Sequence, residues 1–438
     1  MKFWKLSFIS LIFLGLYSTN GLSQINDNWV IRWIKPKENQ FFQQTIYSVA
    51  QDSMGFIWFG TENDLIRYDG YDYKIFHFDA KNPNSVQFSS YSALLVDKEG
   101  FLWVGSTQDG LSRFDPILDR FDHFFKSSIS PNRLLSNYIT TLFQSKSGSI
   151  WVGTDRGLHR LDQNPDSSWN IQIFQHQAKD PTTISQNIIT SIVEDTQGSL
   201  WIGTFNGLNQ LNPDSGTFTR YDNTTKIDGP SNNHVTSLCL DKQKMLWIGT
   251  KNGLCKLNMD THHFSPLFSE TNDSISISQN HITDIHIDHH GKLWLTTQST
   301  GLTQFDPLTG VSNHFQAHAD IEPSLQSNHL TCVLIDKMNR IWAGGQRLNF
   351  LFQRKQKIQY FDIHQLINLQ TPDFQVRSFY QDSAMHLWIG TSHGLFELNW
   401  NPAEDYSNNK SYIVENHFGS VTNSTGMLPW LYGSSGIL

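Results

Sequence analysis

From Ile189 to Tyr221 the chain runs through four short strand-like bursts. ITSIVE, SLWIG, LNQL and TFTRY are rich in β-branched, aromatic and alternating apolar residues, and the intervening DTQG, TFNG and NPDSG are built from turn-formers. The pattern predicts four antiparallel strands. Nearly the same unit returns as FIWFGTENDL, FLWVGSTQDGL, SIWVGTDRGL, SLWIGTFNGL, MLWIGTKNGL, KLWLTTQSTGL, RIWAGGQRLNF and HLWIGTSHGL. Its tryptophans, Trp58, Trp103, Trp151, Trp201, Trp247, Trp294, Trp342 and Trp388, stand 45 to 50 residues apart. A fixed period of this length denotes stacked structural units.

A four-stranded sheet cannot bury both faces alone, so the copies must pack face to face, and radial closure protects their edges. The predicted fold is all-β, a β-propeller of four-stranded antiparallel blades. Each tryptophan lies on a second strand, where a large flat side chain fills the wedge between neighbouring blades. Six positions before it stands Asp52, Asp97, Asp195, Asp241, Asp288, Asp336 or Asp382, with Ser145 in the third copy. Aspartate there suits an Asx-type turn joining the first two strands.

Composition narrows the class. Aromatic residues make up 13% of the chain, and the net charge of −8 comes without a Lys/Arg run, which argues against a nucleic-acid surface. The N-terminus, MKFWKLSFISLIFLGLYSTNGLSQ, combines a basic start, a short apolar stretch and a small-x-small site, so residues 1–23 are expected to be a signal peptide and the remainder periplasmic or extracellular. Cys239, Cys255 and Cys332 are an odd number, and the first two fall on first and third strands of one blade, so buried free thiols are expected.

The repeat I-x-x-I/L-x-x-D-x-x-G-x-L/I-W-I/V-G-T-x-x-G-L resembles that of the two-component regulator propeller family over about Trp29 to Asn401. That resemblance implies the periplasmic sensor region of a bacterial hybrid two-component system, many of which respond to oligosaccharides. It also implies seven-bladed rings. Residues 24–370 are then expected to form one propeller, with NWVIRWI supplying a closing outer strand, and 371–438 further blade material at the start of a truncated second propeller. A single eight-bladed ring is the alternative. Kinase or cyclase output modules and a membrane helix, expected from the family, are not found in these 438 residues. Contact with a membrane is therefore expected only through such domains, and a homodimer is a further possibility.

Catalytic signatures are missing: there is no H-E-x-x-H, no G-x-S-x-G and no Gly-rich phosphate loop, and no pair of carboxylates stands apart from the repeated turns. HIDHH, His286 to His290, reads as a strand end and turn, RYDGYDY, Arg67 to Tyr73, as scaffold, and neither metal nor cofactor is expected. What every blade shares maintains the ring, and what single blades change is free for recognition. Fourteen residues before the tryptophans, Asn137, Asn187, Asn233, Asn280 and Asn328 form a column read as a turn device. The next column varies, and it places His234, His281 and His329 in three successive blades. These histidines, with Tyr138 and Arg377 flanking them, are the expected ligand-binding residues, on the face that also carries the loops between second and third strands. Imidazole both donates and accepts hydrogen bonds, which suits sugar hydroxyls. The expected function is a non-catalytic sensor of an extracellular carbohydrate; the alternatives are a propeller glycosidase or lyase, and a protein-binding scaffold.

Overall fold

Why the repeat folds as it does is visible in a computed structural model, which describes residues 29–33, 44–87, 89–124, 133–213, 215–223, 229–267, 281–318, 324–353, 375–382, 387–392, 394–398 and 414–416. The expected signal peptide, Asn280 and Phe374 lie outside them. The described strands form eight four-stranded antiparallel sheets. The chain divides into two compact units, Met1–Arg354 and Lys355–Leu438.

The first unit holds seven sheets, here called blades one to seven. Six use consecutive strands, beginning at Ile46, Tyr91, Ile139, Ile189, Val235 and Ile282. Blade seven takes three strands from Leu330 to Gln353 and its fourth from the N-terminus: Trp29–Trp33 pairs antiparallel with Asn349–Gln353, Trp29 opposite Gln353. Trp29 is buried there, its ring 5.0 Å from that of Trp294 in blade six. Blade seven then meets blade one through Cys332 and Trp342, which pack with Ile46, Ile57 and Phe59. Ring closure thus falls at the seventh blade of this unit.

Packing explains the shared letters. Trp58, Trp103, Trp201, Trp247, Trp294 and Trp342 are at most 2% exposed, and Trp201 sits among Val235, Leu238 and Ile248 of the following blade. The glycine two residues on leaves room for the next blade's first residue. A Cβ at Gly203 would lie 2.7 Å from Val235 Cγ1, and one at Gly105 would lie 2.6 Å from Ile139 Cγ2. The following threonine spans the next turn, as Thr204 Oγ1 donating to the Gly207 carbonyl at 3.0 Å.

Every first strand bulges after its first residue. The bulged Ser92 and Thr283 donate hydroxyl hydrogens to the carbonyls of Ile139 and Leu330 in the next blade, at 2.5 and 2.9 Å. Thr331 makes the same bond to Ile46, across the closure. Cys239, Cys255 and Cys332 are free thiols, and burial pushes them up to about 12, 11 and 12.

The second unit carries one more sheet of the same order and bulge, with strands Val376–Gln381, Leu387–Thr391, Gly394–Leu398 and Val414–Asn416.

Candidate functional site

Each blade of the ring presents the turn between its first two strands on one face and its second-to-third strand loop on the other. On the turn face the aspartate does more than shape a turn. Asp195 Oδ1 accepts the backbone N–H groups of Gln197 and Ser199, both at 2.9 Å, while Oδ2 accepts Trp201 Nε1–H at 3.0 Å. The same carboxylate-to-indole bond joins Asp52 to Trp58, Asp97 to Trp103, Asp241 to Trp247, Asp288 to Trp294 and Asp336 to Trp342, at 2.7 to 3.0 Å. Asp382 and Trp388 repeat it in the second unit at 3.1 Å. In blade three, where Ser145 stands, Trp151 Nε1 is buried with no partner among the described residues. This row is scaffold.

A groove of about 200 Å³ opens on the turn face between blades four and five, lined in part by Asp195, Gln197, Trp201, Gln210, Lys244 and Asp260. It lies beside Gln210, which pairs with Trp201 where longer cations pair with the tryptophans of blades one to three. Arg67, Arg113 and Arg160 lie 5.6, 5.8 and 5.8 Å from those indole rings. Several of the groove's polar groups are already matched, Asp195 as above, Lys244 Nζ to Asp260 Oδ1 at 3.0 Å and Gln210 Oε1 by the Tyr221 hydroxyl at 3.2 Å. It reads as a packing gap, not a recognition surface.

The opposite face differs blade by blade. In each of five blades the residue entering the first strand accepts, at its carbonyl, the N–H of the residue leaving the second. The pairs are Ser90 with Thr107 (3.0 Å), Tyr138 with Asp155 (3.4 Å), Ile188 with Phe205 (3.3 Å), His234 with Lys251 (3.0 Å) and His281 with Gln298 (3.0 Å). Backbone pairing therefore brings two variable side chains together at each point of the rim. The entering residues are also fixed from behind: His234 N–H donates to Asn232 Oδ1 at 2.8 Å, His329 N–H to Ser327 Oγ at 3.0 Å and Tyr138 N–H to Ser136 Oγ at 2.9 Å.

The asparagine column is structural. Asn187, Asn233 and Asn328 each accept, through Oδ1 at 2.7 Å, a backbone N–H of the loop entering their blade, from His176, Asn223 and Ala317. Tyr68 and Tyr73 of RYDGYDY stack on each other with ring centroids 4.7 Å apart. His286 of HIDHH is paired within its sheet, opposite Trp294, and His289 and His290 lie in the following turn. No metal-holding cluster occurs among the described residues.

Of the expected site residues, His234 and His281 come together, ring centroids 6.3 Å apart. His329 holds the equivalent place in blade seven. Tyr138, 46% exposed, is in blade three, separated from His234 by blade four. Arg377 belongs to the second unit, as the second residue of Val376–Gln381, and is not one of the ring's residues.

Two further residues complete the cluster. Phe205 is 44% exposed, and its ring centroid lies 4.0 Å from that of His234. Lys251, exposed, leaves the second strand of His234's own blade. Their signal was present in the residue after Gly-Thr, which runs Glu62, Thr107, Asp155, Phe205, Lys251, Gln298, Gln346 and is as irregular as the histidine column. His281 Nδ1 donates to Gln298 Oε1 at 2.5 Å. Burial first, then Lys251 and His281, hold His234 below the ordinary imidazole range. At neutral pH it is an uncharged donor and acceptor, so the partial protonation that would draw an anion is not available from this ring.

These features define a class, a seven-bladed β-propeller with a repeated turn face and a loop face that varies from blade to blade. Residues 40–63, 133–156, 183–206 and 229–252 match the family model "Two component regulator propeller". Those four segments carry that family's repeat. Among curated proteins none matches it. Solved structures share the fold. The extracellular domain of BT4673, a candidate one component system of B. thetaiotaomicron, is 22% identical with a TM-score of 0.59, covering 90% of this chain and 48% of that one. The extracellular domain of BT3049, a candidate hybrid two component system of the same organism, is 18% identical with a TM-score of 0.61, covering 91% and 61%. Virginiamycin B lyase from Staphylococcus aureus is 12% identical with a TM-score of 0.56, covering 74% and 100%. The chain thus spans from about half to three-fifths of the two extracellular domains. Among the described residues no helix is long and apolar enough to cross a membrane.

Proposed function

We propose that this chain is a non-catalytic extracytoplasmic sensor module that binds a carbohydrate at the rim of blades four to six. The observation carrying this reading is the contiguous set Phe205, His234, His281 and Gln298, an exposed aromatic ring beside hydrogen-bonding side chains on the face where the loop residues vary from blade to blade. An aromatic face covers the apolar side of a pyranose, and imidazole and amide groups exchange hydrogen bonds with its hydroxyls. His329 and Tyr138 extend the same rim. Residues 1–23 direct export. A ring of closely packed blades responds to ligand as a rigid body, so the signal is passed as a displacement or a change in dimer geometry to domains outside these residues.

The lyase of the same fold keeps an enzyme reading in play. Turnover of a glycan library by the purified protein would favour it; saturable glycan binding without turnover favours the sensor. Replacing His234, His281 and His329 together by alanine is expected to change stability by about 0.5 kcal/mol or less per site and to weaken glycan binding at least tenfold. A folded triple variant with unaltered affinity removes the rim from consideration.

A further inference from the structure

The charges of the second-to-third strand loops are not scattered evenly round the ring. Blade one contributes Glu62 and Asp64, blade two Asp109, and blade three Asp155 beside Arg156. Blade four contributes none, blade five Lys251 and blade seven Arg347. One arc of the rim is acidic. The arc holding the histidine cluster has a single cation, and that cation emerges where its backbone bonds His234, whose ring meets Phe205 on one side and His281 on the other.

We propose that Lys251 makes the rim selective for an anionic sugar, one bearing a carboxylate or a sulfate, with Phe205 as the stacking platform. The inference rests on the rim being the ligand site and adds what that site prefers. Lys251 is exposed and makes no ion pair with a described residue, so its ammonium is available to a ligand. An ammonium acts as a point charge and does not demand a bidentate partner, so carboxylate and sulfate are both accommodated. The acidic arc opposes an anionic group placed across the ring and so fixes which end of an oligosaccharide faces blade five. The histidines hydrogen-bond hydroxyls on either side of the charged group.

The test uses the exported chain on an array of matched oligosaccharides: uronates beside their carboxyl-reduced forms, and sulfated chains beside desulfated ones. At least one charged member is expected to bind at least tenfold more tightly than its neutral partner, and which pair responds separates carboxylate from sulfate. Lys251→Met should lower binding of the charged member to that of its neutral partner, and Phe205→Ala should weaken both members of the pair. Raised salt should reduce the preference. Equal binding of charged and neutral partners, or a preference that survives Lys251→Met, overturns the proposal. If the triple histidine variant still loses binding in that case, the rim reading stands without it. An array on which only neutral members bind overturns the proposal and leaves the rim reading; an array with no binder at all overturns both.

Discussion

The two faces of the ring divide the work of one repeat. On the turn face six of seven blades make the same bond from an aspartate to a tryptophan, and the letters that make it can be read down the sequence as columns. On the loop face the backbone pairing is repeated but the side chains it brings together are Tyr138 with Asp155, Ile188 with Phe205, His234 with Lys251. The difference teaches where substitution should be felt. Changes on the turn face should act on stability and leave recognition alone, and changes on the rim should do the reverse.

The largest effect is expected at Asp195. Its carboxylate is buried and holds two backbone N–H groups and the buried indole N–H of Trp201. Asp195→Ala removes all three acceptor contacts and is expected to cost about 4 kcal/mol, the stranded indole at roughly 1–3 kcal/mol and the two part-buried backbone bonds at roughly 1 kcal/mol each. The denaturant midpoint should fall by that amount, with glycan affinity of the remaining folded protein unchanged. A shift under 1 kcal/mol would show that the row does not hold the blades.

Next in size is a residue that links the scaffold to the rim. His159 is fully buried in blade three, and its Nε2 accepts the N–H of Leu135, three residues before Tyr138, at 3.1 Å. Asn209 and Asn349 hold the loops of their own blades in the same way, through Ser185 N–H at 2.8 Å and Gln326 N–H at 2.9 Å. Protonation would remove the acceptor, and burial lowers His159 to about 4. The unfolded chain takes up this proton near 6.5, so the stabilisation is complete above pH 6.5 and is lost as the pH falls toward 4, by roughly 3 kcal/mol in all. His159→Asn keeps the acceptor without the titration. The difference in stability between the two proteins should drift across that window, and a constant difference from pH 7 to 4 would refute the assignment.

How far these roles were legible follows from their geometry. The period, the second-strand tryptophans and the closing NWVIRWI strand were readable because each recurs or stands out in one dimension. The place of the histidines one residue before their strands was readable for the same reason. The Asp195–Trp201 bond was not, because six residues and a turn separate the partners and only the folded turn aims one at the other. Lys251 and Phe205 were missed although their column was visible. What makes them part of the cluster is the cross-strand pairing of His234 with Lys251 and the approach of Phe205 from the neighbouring blade. Position 159 had no signal at all, since histidine, asparagine, serine, threonine, cysteine and isoleucine occupy it in turn.

The smallest effect is the sharpest use of the comparison, because here the ring departs from its own rule. Ser145 is buried, shares hydrogen bonds with Ser147 Oγ at 2.8 Å and the Ser149 carbonyl at 3.2 Å, and leaves Trp151 Nε1 without an acceptor. Ser145→Asp would supply the missing oxygen at the spacing the other blades use. The gain is limited by desolvation, which already raises the carboxyl of the equivalent Asp97 above its ordinary value. One recovered buried bond less that penalty amounts to about 1 kcal/mol. Arg160, whose guanidinium lies 5.8 Å from the Trp151 ring, is already paired with Asp162 at 3.0 Å. The expected outcome is a denaturant midpoint raised by about that amount and slower hydrogen exchange at the Trp151 indole. Ser145→Asn, able to accept with one oxygen only, should recover less. If Ser145→Asp destabilises instead, the carboxylate in the other blades depends on surroundings that blade three does not provide, and the turn face is less uniform than its column of aspartates suggests.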